Sequence, residues 1–489
     1  MNAPWTAGHL PGFAAEDIAW HTLSFGAAGR AVQVRVPVLR PQQLGALARH
    51  VRQASALHLQ GLPVSRIVQI IDAAVARLLD PRDPFRQEAQ RLLPAVSGYD
   101  AEMVRLGLDG FLQTFRAPQL HRFVAEDFAN PKVLDEFQPA VKGGFVRAFG
   151  PGLLVHSWAG NVPALPLWSL ACGLLVKAGS VGKLPSAEPV FASLFARLLA
   201  EVHPPLADCL AIAWWQGGDE ASAAALFAEA DVVLAYGGDA AIAQVQRQVP
   251  AGTRFLGYGH KLGFGLVSRT VLDVQRAPAL ARRAAHDIAR YEQQGCYSPH
   301  QFYVERGGKV EPRAFAHYLA AELANLQHRF PRRALALEEA AAVAGWRQSA
   351  ELQALVQEGH ELLGAPDAAW TVAYTEHARP LAPTGGGRGI RVSAVDTLDD
   401  VMPLVAPHAR FLQTAAIAAQ PQELFRLADA LGRAGVTRFC ALGAMTAPEA
   451  GWHHDGRFNL ADLVRMVEIE QSGERSADAL APYAQEERP

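Results

Sequence analysis

Residues 153–189 read LLVHSWAGNVPALPLWSLACGLLVKAGSVGKLPSAEP, and the interpretation of this stretch decides the fold. Over 148–176 there is no Lys, Arg, Asp or Glu, which invites a membrane-spanning reading. Pro151, Pro163 and Pro166, with Gly150, Gly152, Gly160 and Asn161, argue against one continuous spanning helix. The stretch reads instead as a strand at 153–156, a loop and a buried helix. Further strands are expected at 173–176, 211–215 and 231–235, with helical runs at 190–202 and 221–230 between them. Strands alternating with helices imply parallel βαβ units wound into an α/β sheet, which takes its ligand at the C-terminal ends of its strands.

Upstream, residues 31–38 alternate apolar and polar, the period of a half-buried strand. From 41 to 142 the text turns helical, with Leu44, Leu47, Val51, Ile67, Ile70 and Ile71 at three- and four-residue spacing. Downstream, a second α/β region runs over 253–420. A helix at 421–434, a strand-like piece at 438–442 and the compact Gly451-Trp-His-His-Asp-Gly456 follow, before a polar end expected to fray over the last dozen residues. The expected division is 1–254 for an N-terminal region with a dinucleotide-binding domain, 255–432 for a catalytic domain, and 433–489 for a return or oligomerisation segment.

The length of 489 residues calls for two or three domains. A formal charge of -3 gives no sign of a nucleic-acid or anionic-membrane partner. Cys172, Cys209, Cys296 and Cys440 lie far apart, so neither a zinc site nor a disulfide framework is indicated. A reducing, cytoplasmic setting is expected, and residues 1–18 lack a secretory layout.

One of these cysteines stands out. In Tyr291-Glu-Gln-Gln-Gly-Cys-Tyr-Ser-Pro-His300, an alanine-rich helical pattern runs out, Gly295 permits a tight turn, and Ser298-Pro299 precedes the apolar run Phe302-Tyr303-Val304. A loop between two regular elements can present the Cys296 sulfur to a cleft as a nucleophile. The competing reading, a small buried hydrophobe, fits Cys172, Cys209 and Cys440. No Gly-x-Gly-x-x-Gly, Walker loop, Gly-x-Ser-x-Gly or His-Glu-x-x-His occurs. Adjacent His453 and His454 do not share a face, so a packed turn is the better reading there. Glu292 reads as a solvated helix end, and 382–389 as a mobile turn or connector.

Four segments, in order, resemble the aldehyde dehydrogenase superfamily and, within it, the LuxC-type acyl-CoA reductases: His156-Ser-Trp-Ala-Gly-Asn161-Val-Pro163, Lys177 to Pro189, Tyr236-Gly237-Gly238-Asp239, and Gln293-Gln-Gly-Cys296-Tyr-Ser-Pro299. Gly451 to Gly456 also looks typical of that subgroup. The resemblance implies an aldehyde-dehydrogenase-like α/β fold, with a Rossmann-type cofactor domain, a catalytic domain and a C-terminal return segment. It implies Cys296 as nucleophile and Asn161 as oxyanion donor, and Lys183, Ser186, Gly237, Gly238 and Trp158 as cofactor-binding residues. It also suggests a homo-oligomer, and an acyl donor that is acyl-CoA or an acyl-protein thioester, supplied in some members by an acyl-protein synthetase.

Two departures are informative. Where hydrolytic relatives carry a water-activating glutamate, this chain reads Phe255-Leu-Gly-Tyr-Gly-His260-Lys261-Leu-Gly-Phe-Gly265, with no acid. A reductase that must not hydrolyse its acyl-enzyme has no use for such a base; His260 stays open as a base. Three positions after Lys183 stands Ser186 rather than the glutamate common in NAD-preferring relatives, which favours NADPH over NAD, with Glu188 nearby as the counter-argument. The expected reaction is NADPH-dependent reduction of a long-chain acyl thioester to the aldehyde through acyl-Cys296. The alternatives are a CoA-acylating or other oxidative aldehyde dehydrogenase, and a non-redox acyl-transfer or thioesterase protein.

Overall fold

The structure, a computed structural model, describes residues 3–26 and 32–482; Ala31 of the first alternating run and residues 483–489 of the polar end lie outside the described residues. Leu153–Ser157 forms a strand buried on both faces, paired in parallel with Gly179–Lys183 on one side and Val232–Tyr236 on the other. Leu210–Ala213 and Arg254–Tyr258 complete a five-stranded parallel sheet. The chain moves outward in one direction from Leu153–Ser157, then jumps back across it to Val232–Tyr236. This reversal is a topological switch point, and the crevice for a ligand opens beyond the C-terminal ends of those two strands.

The strand expected at 173–176 is instead the last turn of the helix Pro166–Leu175, and the next strand begins at Gly179. A short, wholly apolar run does not separate strand from buried helix by periodicity. The helix stops because Lys177 turns left-handed (φ 63°). The Lys177 N–H donates to Leu174 O and the Ala178 N–H to Gly173 O, both at 2.9 Å, which satisfies two terminal carbonyls. The Lys177 ammonium is buried against Asp135 at 2.6 Å rather than lying free on the surface.

The second lobe is a seven-stranded sheet in the order His360–Leu363, Thr371–Thr375, Gly389–Val395, Pro299–Glu305, Leu262–Val267, Leu412–Ala418, Arg438–Cys440. All pairs are parallel except the first. The helices Ala277–Ala289 and Pro312–Arg329 pack Ala281, Ala284, Ile288, Phe315 and Leu319 onto one face of it. The boundary at 254/255 falls inside Arg254–Tyr258, a strand of the first lobe, so the lobes divide at the turn before Leu262. The boundary at 432/433 also shifts, because Arg438–Cys440 still pairs in the second sheet. The return proper is Arg465–Ile469, which runs antiparallel to Phe145–Phe149 in a small separate sheet. No helix among the described residues is long and apolar enough to cross a membrane.

Candidate active site

Cys296 lies half-buried on the turn leading into Pro299–Glu305, a strand whose every residue is buried. The turn is built differently from the sequence expectation. The left-handed residues are Tyr291, Glu292 and Gln293 (φ 51°, 53° and 62°), none of them glycine. Each costs about 1–2 kcal/mol, so the surroundings must hold them. Gln293 Nε2 donates to Pro299 O at 2.8 Å and Gly389 O at 2.9 Å, and the Tyr99 hydroxyl reaches Tyr291 O at 3.3 Å. Glu292 is not a solvated helix end: its carboxylate is fully buried and paired with Arg388. The 382–389 segment is therefore not a free connector, since Arg388 fastens it to this turn. Gly295 is needed for a close approach, because a Cβ there would meet the Tyr297 ring at 2.4 Å.

Two strands and the C-terminal turn meet at the sulfur. Gln413, buried at the start of Leu412–Ala418, donates from Nε2 to Cys296 Sγ at 3.5 Å and to Asp455 Oδ1 at 2.5 Å. Its Oε1 accepts from the Thr414 hydroxyl at 3.1 Å, which fixes the amide with its N–H groups toward the thiol. Asp455 Oδ2 faces the Lys261 ammonium at 3.6 Å. Burial pushes the Cys296 thiol up to about 11; the Gln413 hydrogen bond and the Lys261 and Arg438 charges oppose this, and Asp455 reinforces it. Neighbouring His454 stacks on Tyr258 at 4.4 Å, and Tyr258 stacks on Tyr236 at 4.8 Å. The turn 451–456 thus bridges the ends of two strands of the first lobe to the cysteine. Gln413 and Asp455 were missed in the sequence; the available signal was a polar pair, Gln413-Thr414, opening an otherwise apolar strand.

Asn161 comes from the first lobe and donates from Nδ2 to Gln294 O, two residues before the nucleophile, while its buried Oδ1 has no partner. It does not cap the following helix, which begins at Pro166. His260 sits on the exposed turn between the lobes, its ring edge-on to Phe411 at 6.4 Å and its N–H bonded to Asp239. The lysine next to it, Lys261, faces Asp455 beside the thiol.

At the switch point, Gly237 and Gly238 follow Val232–Tyr236, and Gly238 opens the helix Asp239–Gln248 with free space where a Cβ would stand. Lys183 ends its strand with Nζ 5.3 Å from the centre of the Trp215 ring, and burial lowers its pKa. The Ser186 hydroxyl accepts from Trp214 Nε1 at 3.1 Å. Glu188 is turned away: its Oε1 accepts from the Val190 and Phe191 N–H groups at 2.8 and 2.9 Å, at the start of the helix Phe191–Val202. Trp158 directly follows the strand Leu153–Ser157 and packs inward. It is 5 % exposed, its Nε1 bonds to Ser169, and its ring lies on the backbone of Gly182. The structure makes it a core residue.

A doubly wound lobe with a glycine turn at its switch point, beside a second α/β lobe that carries the cysteine turn, defines an aldehyde-dehydrogenase-like fold. Among solved structures, aldehyde dehydrogenase 21 from Physcomitrella patens superposes with a TM-score of 0.72 over 96% of this chain and 99% of that one, at 12% identity. The NADP-dependent glyceraldehyde-3-phosphate dehydrogenase of Bacillus halodurans superposes at 0.70 over 96% and 100%, also at 12% identity. The acyl-CoA reductase (LuxC) family model matches residues 59–466, and the chain belongs to that family. It is 25% identical to the long-chain acyl-protein thioester reductase of Vibrio harveyi, over 85% of this chain and 84% of the relative. It is 27% identical to that of Photorhabdus luminescens, over 81% and 80%.

Proposed function

We infer that the protein reduces a long-chain acyl thioester to the aldehyde through a covalent acyl-Cys296 intermediate, drawing on NADPH. The observation that carries the reading is the wiring of Cys296: a half-buried thiol held by an oriented amide, with no carboxylate among the described residues left free beside it to activate water. The carboxylate that does approach, Asp455, has one oxygen bonded to Gln413 and the other facing Lys261. The relatives' reductase names support the substrate class.

In the first step the Cys296 thiol loses its proton to solvent, and the thiolate attacks the thioester carbonyl carbon to form a C–S bond. The carbonyl π electrons move to oxygen, where the second N–H of the Asn161 amide and the Cys296 backbone N–H are the donors at hand. Collapse of this oxyanion breaks the donor's C–S bond, and the donor leaves as a thiolate that takes up a proton. When bound, the nicotinamide supplies a hydride equivalent for the acyl carbon. The Cys296–carbon bond then breaks with its electron pair going to sulfur, the aldehyde departs, and the thiolate accepts a hydrogen bond from Gln413 Nε2 before it is reprotonated.

The residues at the switch point fit the dinucleotide: an open glycine turn at a helix N-terminus for the pyrophosphate, and Lys183 and Ser186 for the ribose. NADPH is favoured because Glu188, the carboxylate that would repel a 2′-phosphate, is committed to a helix N-terminus.

The test is turnover with a series of acyl-CoAs and NADPH, followed by intact-mass measurement of the enzyme. The expected result is aldehyde formation matched to NADPH consumption, an acyl adduct on Cys296, and neither with Cys296→Ser. Adduct on another residue, or free acid released without nicotinamide oxidation, overturns the reading. Faster turnover in the direction from aldehyde to acyl-CoA reassigns the physiological direction.

A further inference from the structure

A cavity of about 330 Å³ opens between the helices Ala101–Gln113, Ala277–Ala289 and Pro312–Arg329, outside the residues used so far. Its floor is apolar, with Met103, Leu106 and Phe330, and its rim carries Arg283, His286, Arg290 and Arg329. None of these three guanidiniums has a carboxylate within ion-pair distance among the described residues. Among the nearby acids, Glu322 pairs with Arg282 at 3.4 Å, Glu102 pairs with Arg105 at 2.7 Å and also feels the Arg329 charge, Asp287 accepts from the Gly443 and Met445 N–H groups, and Glu449 faces Arg122 at 3.9 Å. Two helix C-termini also end here, and each contributes roughly half a negative charge. Three full positive charges outweigh them, so the rim stays a site for an anion.

This cavity shares Gly107, Arg290 and Thr446 with a second one of about 320 Å³, lined further by Phe111, Tyr291, Tyr297 and Ala450. Tyr297 is the residue after the nucleophile. At the junction Gly107 lets the buried Tyr291 ring pack against the helix, since a Cβ there would meet the Tyr291 hydroxyl at 2.5 Å. A basic rim therefore adjoins a second cavity, lined by aromatic, apolar and polar side chains, that reaches Tyr297 beside the nucleophile.

The geometry points to a docking site for the phosphate groups of the acyl donor on Arg283, Arg290 and Arg329, with the acyl-bearing arm laid along the adjoining cavity toward Cys296. The ligand class is a phosphate-bearing thioester. Guanidiniums suit it because their forked donors match phosphate oxygens, and exposed ones can reorient to meet them. Two sources share this chemistry: coenzyme A, which has nucleotide phosphates, and a phosphopantetheine arm, which has a single phosphate. The assignment rests on the thioester-reductase reading, but its readout is binding and does not require turnover.

The experiment compares wild type with Arg283→Gln/Arg329→Gln, a double variant confined to exposed positions. Calorimetric binding is measured for coenzyme A, phosphopantetheine and pantetheine. In the variant, coenzyme A affinity is expected to fall roughly tenfold, while binding of phosphate-free pantetheine stays unchanged. Wild-type coenzyme A affinity is expected to weaken with added salt. A parallel fall for phosphopantetheine assigns the site to the arm's own phosphate; no fall for it assigns the site to the nucleotide phosphates. Equal loss for all three ligands, or no loss for coenzyme A, overturns the site. Acyl labelling of Cys296 by acyl-pantetheine, run beside it, tests the reductase reading separately.

Discussion

Glu292 and Arg388 meet as a bidentate ion pair with both side chains fully buried, Nε to Oε2 at 2.8 Å and Nη2 to Oε1 at 2.9 Å, across 96 positions of sequence. The same guanidinium donates to Phe330 O at 2.8 Å and Gln327 Oε1 at 2.9 Å, so nearly all of its donors are used. The pair sits inside the left-handed run that aims Cys296. Removing one partner strands a buried charge. Arg388→Met and Glu292→Gln are each expected to cost about 3–5 kcal/mol in denaturant unfolding, and the double variant less than their sum. Both single variants should also slow acylation of Cys296, because the turn loses its clamp.

The thiol gives a pH prediction whose sign follows from its surroundings. With the folded-state value near 11, only about one in ten thousand sulfurs is ionised at pH 7 in the ligand-free protein. Alkylation by iodoacetamide should therefore rise about tenfold per pH unit through pH 9, where an ordinary thiol levels off. Gln413→Leu removes a donor to the thiolate and should move the profile to higher pH. Asp455→Asn removes a nearby negative charge and should move it lower. A profile that levels off near pH 8 contradicts this account.

The parts of this site that were legible in the sequence are those where chemistry restricts residue type over a short span. Cys296 on a turn before a strand declared itself locally, while the glycine pair at 237–238 was singled out only by the family resemblance. What stayed hidden depends on partners brought together by the fold. Glu292 resembles any acidic residue at a helix end until Arg388 arrives from a segment that reads as a connector. Gln413 is one polar residue in an apolar strand, and its role exists only because Leu412–Ala418 lies beside Leu262–Val267. Gly295 was read as permitting a tight turn, but its backbone is not left-handed, and the approach of the Tyr297 ring is what leaves no room for a Cβ there. In the fold, the alternation of strand and helix was readable, but 173–176 was misplaced because a run buried on all sides carries no period.

Asn161 and His260 are expected to separate cleanly. Asn161→Ala removes an amide from beside the nucleophile loop and should lower kcat by about 10²–10³, with the alkylation profile of Cys296 nearly unmoved. His260→Ala removes an exposed ring packed edge-on to Phe411, and kcat is expected to stay within about twofold. Steady-state kinetics beside iodoacetamide rates checks both. A large loss in His260→Ala would restore the histidine as a base.

Cofactor preference should turn on position 186. The Ser186 hydroxyl faces Trp214 near Lys183, with Glu188 held by its helix. Ser186→Glu places a carboxylate beside the ribose site, where it repels a 2′-phosphate and can accept from a 2′-hydroxyl. The NADPH-to-NADH ratio of kcat/KM should fall by about tenfold or more, and Lys183→Met should raise KM for NADPH more than for NADH. An unchanged ratio in both variants would place the ribose elsewhere.

Trp158 decides between packing and cofactor contact. Its indole covers Gly182, where a Cβ would stand 1.9 Å from the ring, and bonds to Ser169 at 2.9 Å. A core role means that Trp158→Ala opens a cavity and loses about 3–5 kcal/mol, and that Gly182→Ala destabilises by driving the ring out of place. In neither variant should the folded fraction show a changed Kd for the nicotinamide. Denaturant titration gives the first quantity, and cofactor fluorescence quenching below the unfolding transition gives the second. A Kd raised tenfold with stability intact would return the tryptophan to the cofactor site.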